Sequence, residues 1–510
     1  MYKRQVLTNN LATFQTPLSG TGNSLTLTLT ARFDSGSEAV AFQNVIIGEG
    51  FASPPPVPLV RIHEVQGDGS ESPLVGSLVA IEGVVVGDFQ DDVGANGDLN
   101  GFFVQEEDAD ADANPLTSEG IFVFDGSSTP AVDVAIGDVV RVEGTVSEFF
   151  GMTQISSTAD VVIQSSGNPL PTAANLSLPV TSVDDFEASE GMRVTFPQPL
   201  LILEYFDFDR FGEIVLGSER RLQPTAEFEP GPNAIQAAAE YQLDRITLDD
   251  GRTSQNPDPA IHPNGAEFDL LNLFRGGDRL QNVTGVLNFS FGLYRVQPTV
   301  GANYSADNLR PVAPDATGGT VTVATLNVLN YFTTIDDGVN DICGPLMNLE
   351  CRGADDAEEL ARQRAKIIAA LAGIDADVVG LVEIENDNAD AALSDLVAGL
   401  NDAVGASTYD YVATGGIGTD AIRVALIYKP GSVSPVGDFA VLDNSVDARF
   451  IDDKNRPVLA QSFMDNAAGG IVTVAVNHLK SKGSPCDDVS DPNTGDGSGN
   501  CNLTRAAAAE

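Results

Sequence analysis

The sequence contains no tryptophan, only three histidines and four cysteines, and far fewer basic than acidic residues. Its 27 lysines and arginines stand against 73 aspartates and glutamates, which gives a formal net charge of −46. This balance argues against a protein that holds nucleic acid on a broad basic surface. It leaves open an enzyme that meets phosphates through a bound divalent cation. No run of about 18 apolar residues is present, so no membrane-spanning helix is predicted.

The rest of the composition is that of a globular, turn-rich protein. Of the 510 residues, 42% are hydrophobic and 20% are charged, so the chain is not a solvated acidic tail. Its length predicts roughly three domains. No apolar signal-peptide core follows Met1, the chain opens in a strand pattern, and it ends on Ala506–Glu510 as a helix would begin. We therefore expect a fragment of a longer secreted protein.

The four cysteines fall in two close pairs, Cys343 with Cys351 and Cys486 with Cys501. This spacing predicts two local disulfides and an oxidising compartment, so an extracellular or cell-surface location is expected. Four independent thiols are the alternative, which is less favoured because every cysteine has a near neighbour. A zinc site built on these cysteines is disfavoured, since neither a CxxC motif nor a nearby histidine is present.

Changes of pattern divide the chain into four regions. Residues 1–50 are expected to be the end of a β-sandwich, and the proline-rich residues 53–58 a stiff linker. Residues 59–168 contain short strands spaced as in a small barrel. Residues 169–305 repeat part of that pattern, because Gly-Asp, a strand and Phe-Gly follow one another in both regions. This weak repeat predicts a second β-rich region, related to the first barrel.

Beyond a second linker, residues 318–510 alternate strands with helices, which indicates an α/β layered domain. Three of its strands end in polar side chains, at Asn327, at Glu383, and at His478 with Lys480 and Lys482. Such strand ends can converge on one cleft. A carboxylate and an amide there can hold Mg²⁺, and a histidine beside the metal can bind phosphate or transfer a proton.

These residues resemble the endonuclease/exonuclease/phosphatase superfamily, and within it the secreted bacterial ExeM/NucH-like nucleases. The resemblance extends along most of the chain and depends on the order and number of its motifs. The segments that carry it are residues 73–76, 81–85, 101–106, 118–123, 190–194, 210–213, 248–251, 255–257 and 327–332. It implies a multidomain protein with a β-sandwich remnant, an OB-like barrel, a second region that could also be OB-like, and an incomplete four-layer α/β nuclease domain.

The resemblance also implies roles for the strand-end residues. Glu383 would be the principal ligand of Mg²⁺ or Mn²⁺, Asn327 would orient the metal or the scissile phosphate, and His478 would bind or protonate a phosphate oxygen. Arg423, Lys480 and Lys482 would contact the phosphate backbone. The family completes its site with a strand-end Asp-x-Asn and a final Ser-Asp-His. We find no strand-end Asp-x-Asn and no Ser-Asp-His after His478, and we therefore expect this chain by itself to be inactive or nearly so.

Plainer interpretations stay open for several of these residues. Glu383 could be a solvent-exposed strand-end carboxylate and Glu385 an ordinary surface residue. Asn327 could be a turn residue and His478 a structural histidine. The two remaining histidines, His63 and His262, match no motif.

An acidic stretch in the barrel region has carboxylates at Asp108, Asp110 and Asp112, a spacing that can surround a structural Ca²⁺. A solvated acidic loop is at least as good an interpretation. OB-like barrels often bind single strands through basic and aromatic residues. Because this barrel is acidic, we expect it to act as a spacer.

The sequence as a whole predicts part of a secreted, metal-dependent nuclease that hydrolyses phosphodiesters of extracellular nucleic acid, DNA foremost and RNA as an alternative. Two other functions stay open. The same fold hydrolyses phosphomonoesters and lipid headgroup esters, and a non-catalytic surface adhesion protein would have the same β-rich modules. The oligomeric state is not predicted.

Overall fold

The computed structural model describes residues 57–510 with the exception of 91–98, 113, 127–131 and 312. The predicted β-sandwich end at residues 1–50, and residues 53–56 of the linker, lie outside the described residues.

The first described unit is a closed barrel of five strands in the order β1-β2-β3-β5-β4. Its interior holds fully buried apolar side chains such as Ile81, Phe102 and Ile121. OB-type barrels consist of five strands arranged as a barrel. The small barrel predicted for this region is therefore confirmed. The elements are α1 (Ile62–Gln66), β1 (Leu78–Phe89), β2 (Gly101–Gln105), β3 (Gly120–Phe124), β4 (Val139–Phe149) and β5 (Met152–Ser165).

The second unit is a nine-stranded sheet in the order β14-β11-β8-β9-β10-β13-β12-β7-β6. The described sheet is not closed, so the β-rich region predicted for residues 169–305 is an open sheet here and does not form a second closed barrel. Inserted helices and several very short strands separate the elements that resemble the first barrel. The elements are β6 (Ala174–Asn175), β7 (Arg193–Phe196), β8 (Leu200–Glu204), α2 (Phe208–Phe211), β9 (Ile214–Gly217), α3 (Pro224–Glu227), α4 (Pro232–Leu243), β10 (Ile246–Leu248), β11 (Arg279–Gln281), β12 (Val283–Ser290), β13 (Leu293–Pro298) and β14 (Asn303–Ser305), with a 3₁₀ helix at Val183–Ser189.

The sequence repeat corresponds to one hairpin that occurs in both units. The β4–β5 turn has Phe150 at φ 51° followed by a glycine at 92°, and the β12–β13 turn has Phe291 at 52° followed by a glycine at 76°. Two successive residues with positive φ are typical of the tight turns that suit twisted hairpins. The turns at residues 135–138 and 275–278 also match each other. Asp138 accepts a hydrogen bond from the Ala135 amide, and Asp278 accepts one from the Arg275 amide. The repeat is therefore local.

Barrel and nine-stranded sheet share apolar and polar contacts. Val86, Phe103, Phe122 and Met152 of the barrel form one buried cluster with Val286 of β12. Arg193 donates its backbone N–H to Gln105 Oε1 over 2.8 Å. Ser118 donates its hydroxyl to the Glu190 carbonyl. The loop between β2 and β3 therefore lies against the second unit.

The third unit has two sheets and three helices. One sheet has the order β15-β16-β18-β17 and the other β19-β20-β21. The alternation of strands and helices predicted for this region is confirmed, while β19 and β20 were not predicted. The elements are β15 (Val323–Tyr331), α5 (Ala357–Ile374), β16 (Val378–Glu385), α6 (Ala391–Val404), β17 (Asp410–Tyr411), β18 (Ile422–Tyr428), β19 (Val433–Leu442), β20 (Arg456–Asp465), β21 (Ile471–His478) and α7 (Asn502–Ala509), with a 3₁₀ helix at Asp487–Val489.

Two buried layers hold these elements together. On one face of the four-stranded sheet, Leu371 of α5 and Leu396 of α6 pack against Leu381. On the other face, Val424 packs against Val476 of the three-stranded sheet. The result is a helix layer followed by two sheet layers. Helix α5 begins where Asp356 accepts from the amides of residues 358 and 359, which satisfies two otherwise free N–H groups.

Both predicted disulfides are present, and each links cysteines that are buried. The Cα atoms lie 5.2 Å apart in Cys343–Cys351 and 5.3 Å apart in Cys486–Cys501. Within the described part of the chain, no helix combines the length and apolar character needed to cross a bilayer.

Candidate functional site

Glu383 lies where strand pairing lapses on both sides of β16. Against β18, Leu381 pairs with Ala425 and Ile384 with Arg423, so two residues of β16 face one residue of β18. Against β15, the register also shifts, between Asn327 and Tyr331. Glu383 itself has φ 66°, a conformation that costs free energy for a residue with a side chain. A bulge of this kind redirects a side chain away from the regular alternation of the strand.

Asn327 lies on the neighbouring strand at the same height. Its Cα pairs with that of Val382, one residue before Glu383. Its side-chain oxygen accepts the Leu329 amide over 2.7 Å, and the residue is exposed. Asn327 thus stabilises the turn at the end of β15 and lies on the strand next to Glu383, and its role as a metal ligand stays a prediction. Both interpretations of this residue agree with its position.

Glu383 and His478 come together although they belong to different sheets. His478 Nε2 lies 3.6 Å from Glu383 Oε1, and the two side chains are 20% and 18% exposed. The contact follows from the packing of β21 on β16, which places the last residue of β21 over the bulge. Two of the predicted site residues are therefore neighbours and remain accessible to solvent.

Burial lowers the pKa of His478, and the nearby positive charge of Arg456 lowers it further. The negative charges of Glu383 and Asp420 act in the opposite direction. The Nδ1 atom is buried and has no hydrogen-bond partner. The imidazole is therefore held mainly neutral, with one nitrogen that donates and one that accepts.

Sequence reasoning missed the arginines beside this pair. Arg456 lies opposite His478 in the β20–β21 ladder and forms an ion pair with Asp420 at 2.9 Å, while Arg352 contacts the same aspartate at 3.3 Å. Nothing in the sequence around either arginine points to a site. For Arg456, even the strand that carries it, β20, was not predicted. A cross-strand position next to His478 is information that only the folded chain contains.

Lys480 extends this positive region. Burial lowers its pKa first, and the charges of Arg456, Lys454 and Arg505 lower it further. Its ammonium donates to Ser484 Oγ over 2.6 Å. Among the described residues, no carboxylate forms an ion pair with this amine. The region around Lys480 is therefore suited to an anion.

Within the part of the chain that the structure describes, Lys482 has no recorded contact with these residues. It is exposed, its carbonyl accepts from Asn500, and its side-chain stem lies against Gly499. Its predicted contact with a phosphate backbone stays a prediction.

The structure gives Arg423 a different environment from the one predicted. The residue is 1% exposed, and its guanidinium donates to Asp390 over 2.6 Å and to Thr414 over 3.1 Å. Burial lowers its pKa, and the charge of Asp390 opposes that effect. A buried charge must be paired, which explains the contact. The guanidinium is directed into the protein, and its predicted contact with a phosphate stays a prediction.

Glu385 is also not the surface residue that the sequence allowed. It is 3% exposed and accepts from the amides and hydroxyls of Thr333 and Thr334. This carboxylate fixes the turn after β15. Its role is structural.

The three aspartates considered for Ca²⁺ are directed at three different partners. Asp108 accepts from the amide and hydroxyl of Thr172, Asp110 pairs with Arg61 at 2.6 Å, and Asp112 accepts from Thr117. The structure does not bring them together. Calcium binding by this loop stays a prediction.

One Asp-x-Asn does follow His478, at residues 491–493. It lies in the loop closed by the second disulfide and not at the end of a strand. Asp491 is buried and accepts the Thr504 amide in the first turn of α7 over 2.7 Å. This motif therefore stabilises a helix and does not complete the cleft.

Comparison with family models matches residues 172–306 to a family described as a domain of unknown function, DUF8508. The matched residues cover the nine-stranded sheet and about a quarter of the chain. A comparison with curated proteins gives no match.

Among solved structures, the chain is similar to ANGEL2, described as a 2',3'-cyclic phosphatase, with 17% identity and a TM-score of 0.21 over 31% of this chain and 40% of that one. It is also similar to the human Nocturnin catalytic domain with bound sulfate anion, with 16% identity and a TM-score of 0.18 over 24% of this chain and 43% of that one. The chain thus spans about two fifths of either protein. Similarity at this level assigns no family to the chain.

Proposed function

We propose that this chain carries the metal- and phosphate-binding part of a hydrolase that cleaves phosphodiesters of extracellular nucleic acid, DNA foremost. The observation that supports it most is the contact of Glu383 with His478 beside the positively charged Arg456 and Lys480. A carboxylate, a neutral imidazole and neighbouring cations at one edge are groups that phosphoester hydrolysis uses. The sequence resemblance supports nucleic acid as the substrate.

Glu383 and Asn327 fit a resident Mg²⁺ or Mn²⁺. Within the described residues, the only ion pair of Glu383 is its 3.6 Å contact with His478, so its carboxylate is free to accept a cation. Asn327 would add an amide oxygen from the adjacent strand. Ions of this type need one or two carboxylates and keep several waters. When bound, such an ion stabilises negative charge that develops on the phosphate.

His478 would act on the phosphate directly. As a neutral imidazole it presents an N–H donor to a phosphate oxygen, and its acceptor nitrogen is able to take a proton. Its low pKa, caused by burial and by Arg456, keeps it in this form at neutral pH. Arg456 and Lys480 would bind the phosphate that lies beside the scissile one.

The test is substitution of the metal ligand. In the full-length protein, Glu383→Gln is expected to weaken Mn²⁺ binding at least about tenfold and to reduce nicking of supercoiled DNA at least about a hundredfold. Calorimetry measures the first effect and gel electrophoresis the second. Asp402→Asn removes one exposed carboxylate of α6 and is the matched control.

Three outcomes would contradict the proposal in different ways. Nicking that is unchanged in Glu383→Gln would remove the metal-site assignment. Hydrolysis of soluble phosphomonoesters or lipid headgroup esters, with no effect on DNA, would change the substrate class. No hydrolysis of any phosphoester by the full-length protein would favour the adhesion interpretation.

A further inference from the structure

His63, which matches no sequence motif, faces two buried carboxylates at one end of the barrel. It belongs to α1, Glu106 directly follows β2, and Glu119 directly precedes β3. His63 Nδ1 lies 2.9 Å from Glu106 Oε2 and 3.2 Å from Glu119 Oε2. One atom of each residue lies within 4.8 Å of the others, and this is the only such group of three or more found in the described part of the chain.

Backbone amides orient both carboxylates from outside the group. The second oxygen of Glu106 accepts the Ile62 amide, and the second oxygen of Glu119 accepts the Asp112 amide over 3.0 Å. One oxygen of each carboxylate is thereby fixed, and the other is directed at His63. Metal sites commonly hold their ligands through such outer hydrogen bonds.

Both carboxylates of the group are buried. Glu106 is 1% and Glu119 8% exposed. Among the ion pairs of the described residues, neither carboxylate contacts a lysine or arginine, and His63 is their shared partner. Two buried carboxylates against one imidazole are a combination that a divalent cation neutralises.

We propose that His63, Glu106 and Glu119 bind a zinc-type divalent transition-metal ion, through Nδ1 and one oxygen of each carboxylate. Ligands at about 2.0–2.2 Å from tetrahedral Zn²⁺ lie about 3.3–3.6 Å from one another, so the 2.9 Å and 3.2 Å between His63 and the two glutamates would lengthen slightly on binding. An imidazole nitrogen favours zinc over Mg²⁺ or Ca²⁺. The His63 side chain is 15% exposed, so water reaches the fourth position.

The bound ion would link three separate elements of the barrel. It joins α1 to the end of β2 and to the start of β3, and both Gln105 of β2 and Ser118 of the following loop contact the second unit. A metal ion at this site would therefore stabilise the contact between the first two units. It is separate from Glu383 and does not depend on the proposed function.

The experiment is a zinc titration of the full chain after removal of metals with a chelator. Saturating Mg²⁺ is present throughout to occupy hard-cation sites. Calorimetry is expected to show one tight Zn²⁺ site, with a matching rise in melting temperature. Glu119→Gln and His63→Ala are each expected to weaken this site at least about a hundredfold. Circular dichroism checks that both variants fold.

Two controls separate this site from other zinc binding. Glu107→Gln removes a neighbouring carboxylate of the same loop and is expected to leave the affinity unchanged, as is Glu383→Gln. The assignment of the tight site to these residues would be overturned if Glu119→Gln and His63→Ala both folded and both retained tight Zn²⁺ binding. Absence of any tight Zn²⁺ site in the unmodified chain would also overturn the proposal, and would leave the three residues as a hydrogen-bonded ion triad.

Discussion

Glu383 and Glu385 show how one backbone angle separates two neighbouring carboxylates. In a regular strand, residues two apart project from the same face. The positive φ of Glu383 interrupts that alternation, so its side chain stays 18% exposed beside His478 while Glu385 is 3% exposed. Both residues can be picked out in the sequence, but whether each is exposed or buried cannot, because no residue type marks this bulge.

Substitution of each glutamate should therefore affect different properties. Glu385→Gln is expected to lower the free energy of unfolding by about 2 kcal/mol, because a charged acceptor of four hydrogen bonds is lost from the interior. Glu383→Gln should leave that free energy nearly unchanged. Denaturant unfolding of the two variants measures the difference. Equal destabilisation would show that Glu383 is also structural.

Among the secondary elements, prediction succeeded where a local signal was strong. Helix α5 has an N-cap aspartate and acidic residues in its first turn, and β16 begins with the uncharged buried run of residues 378–381. Strand β19 was missed because most of its residues are exposed and it contains a proline and a glycine. The hairpin repeat was detected correctly, yet it did not imply a repeated barrel, since one hairpin does not fix the order of a sheet.

The second disulfide supports the segment that follows β21. Cys486 and Cys501 close a loop of 15 residues between Lys480 and α7. Replacing both with alanine is expected to lower the free energy of unfolding by about 3 kcal/mol, through the greater entropy of the unfolded chain.

Replacing Cys343 and Cys351, which close 8 residues, is expected to cost about 2.5 kcal/mol. Denaturant unfolding under oxidising conditions compares the two double variants. A loss well below 1 kcal/mol for the longer loop would contradict the expectation. It would mean that the reduced chain keeps the loop closed by other contacts.

At the scale of the molecule, a strongly negative chain concentrates several of its few cations near Glu383. Arg352 and Arg456 share Asp420, and Lys480 responds to the charges of Lys454 and Arg505. With a net charge of −46, long-range repulsion of DNA is expected, and binding should depend on few local contacts.

Nucleic-acid binding should therefore have a shallow dependence on salt. If Lys480 binds a phosphate, Lys480→Ala is expected to reduce the slope of log K against log salt by about 1. Fluorescence anisotropy of a labelled duplex in Mg²⁺ measures it. Lys366→Ala, an exposed lysine of α5, is the control. An unchanged slope in Lys480→Ala would exclude this contact.

The sequence by itself determined the barrel, the α/β alternation of residues 318–510 and both disulfides, because each of these depends on local periodicity or close spacing. It also marked Glu383, Asn327 and His478 as candidates. Only the tertiary structure decided that Glu383 lies 3.6 Å from His478, that Arg423 is buried, and that His63 faces two carboxylates. Those outcomes depend on how sheets pack and where a strand bulges, and contacts between residues far apart in the chain leave no local pattern to detect.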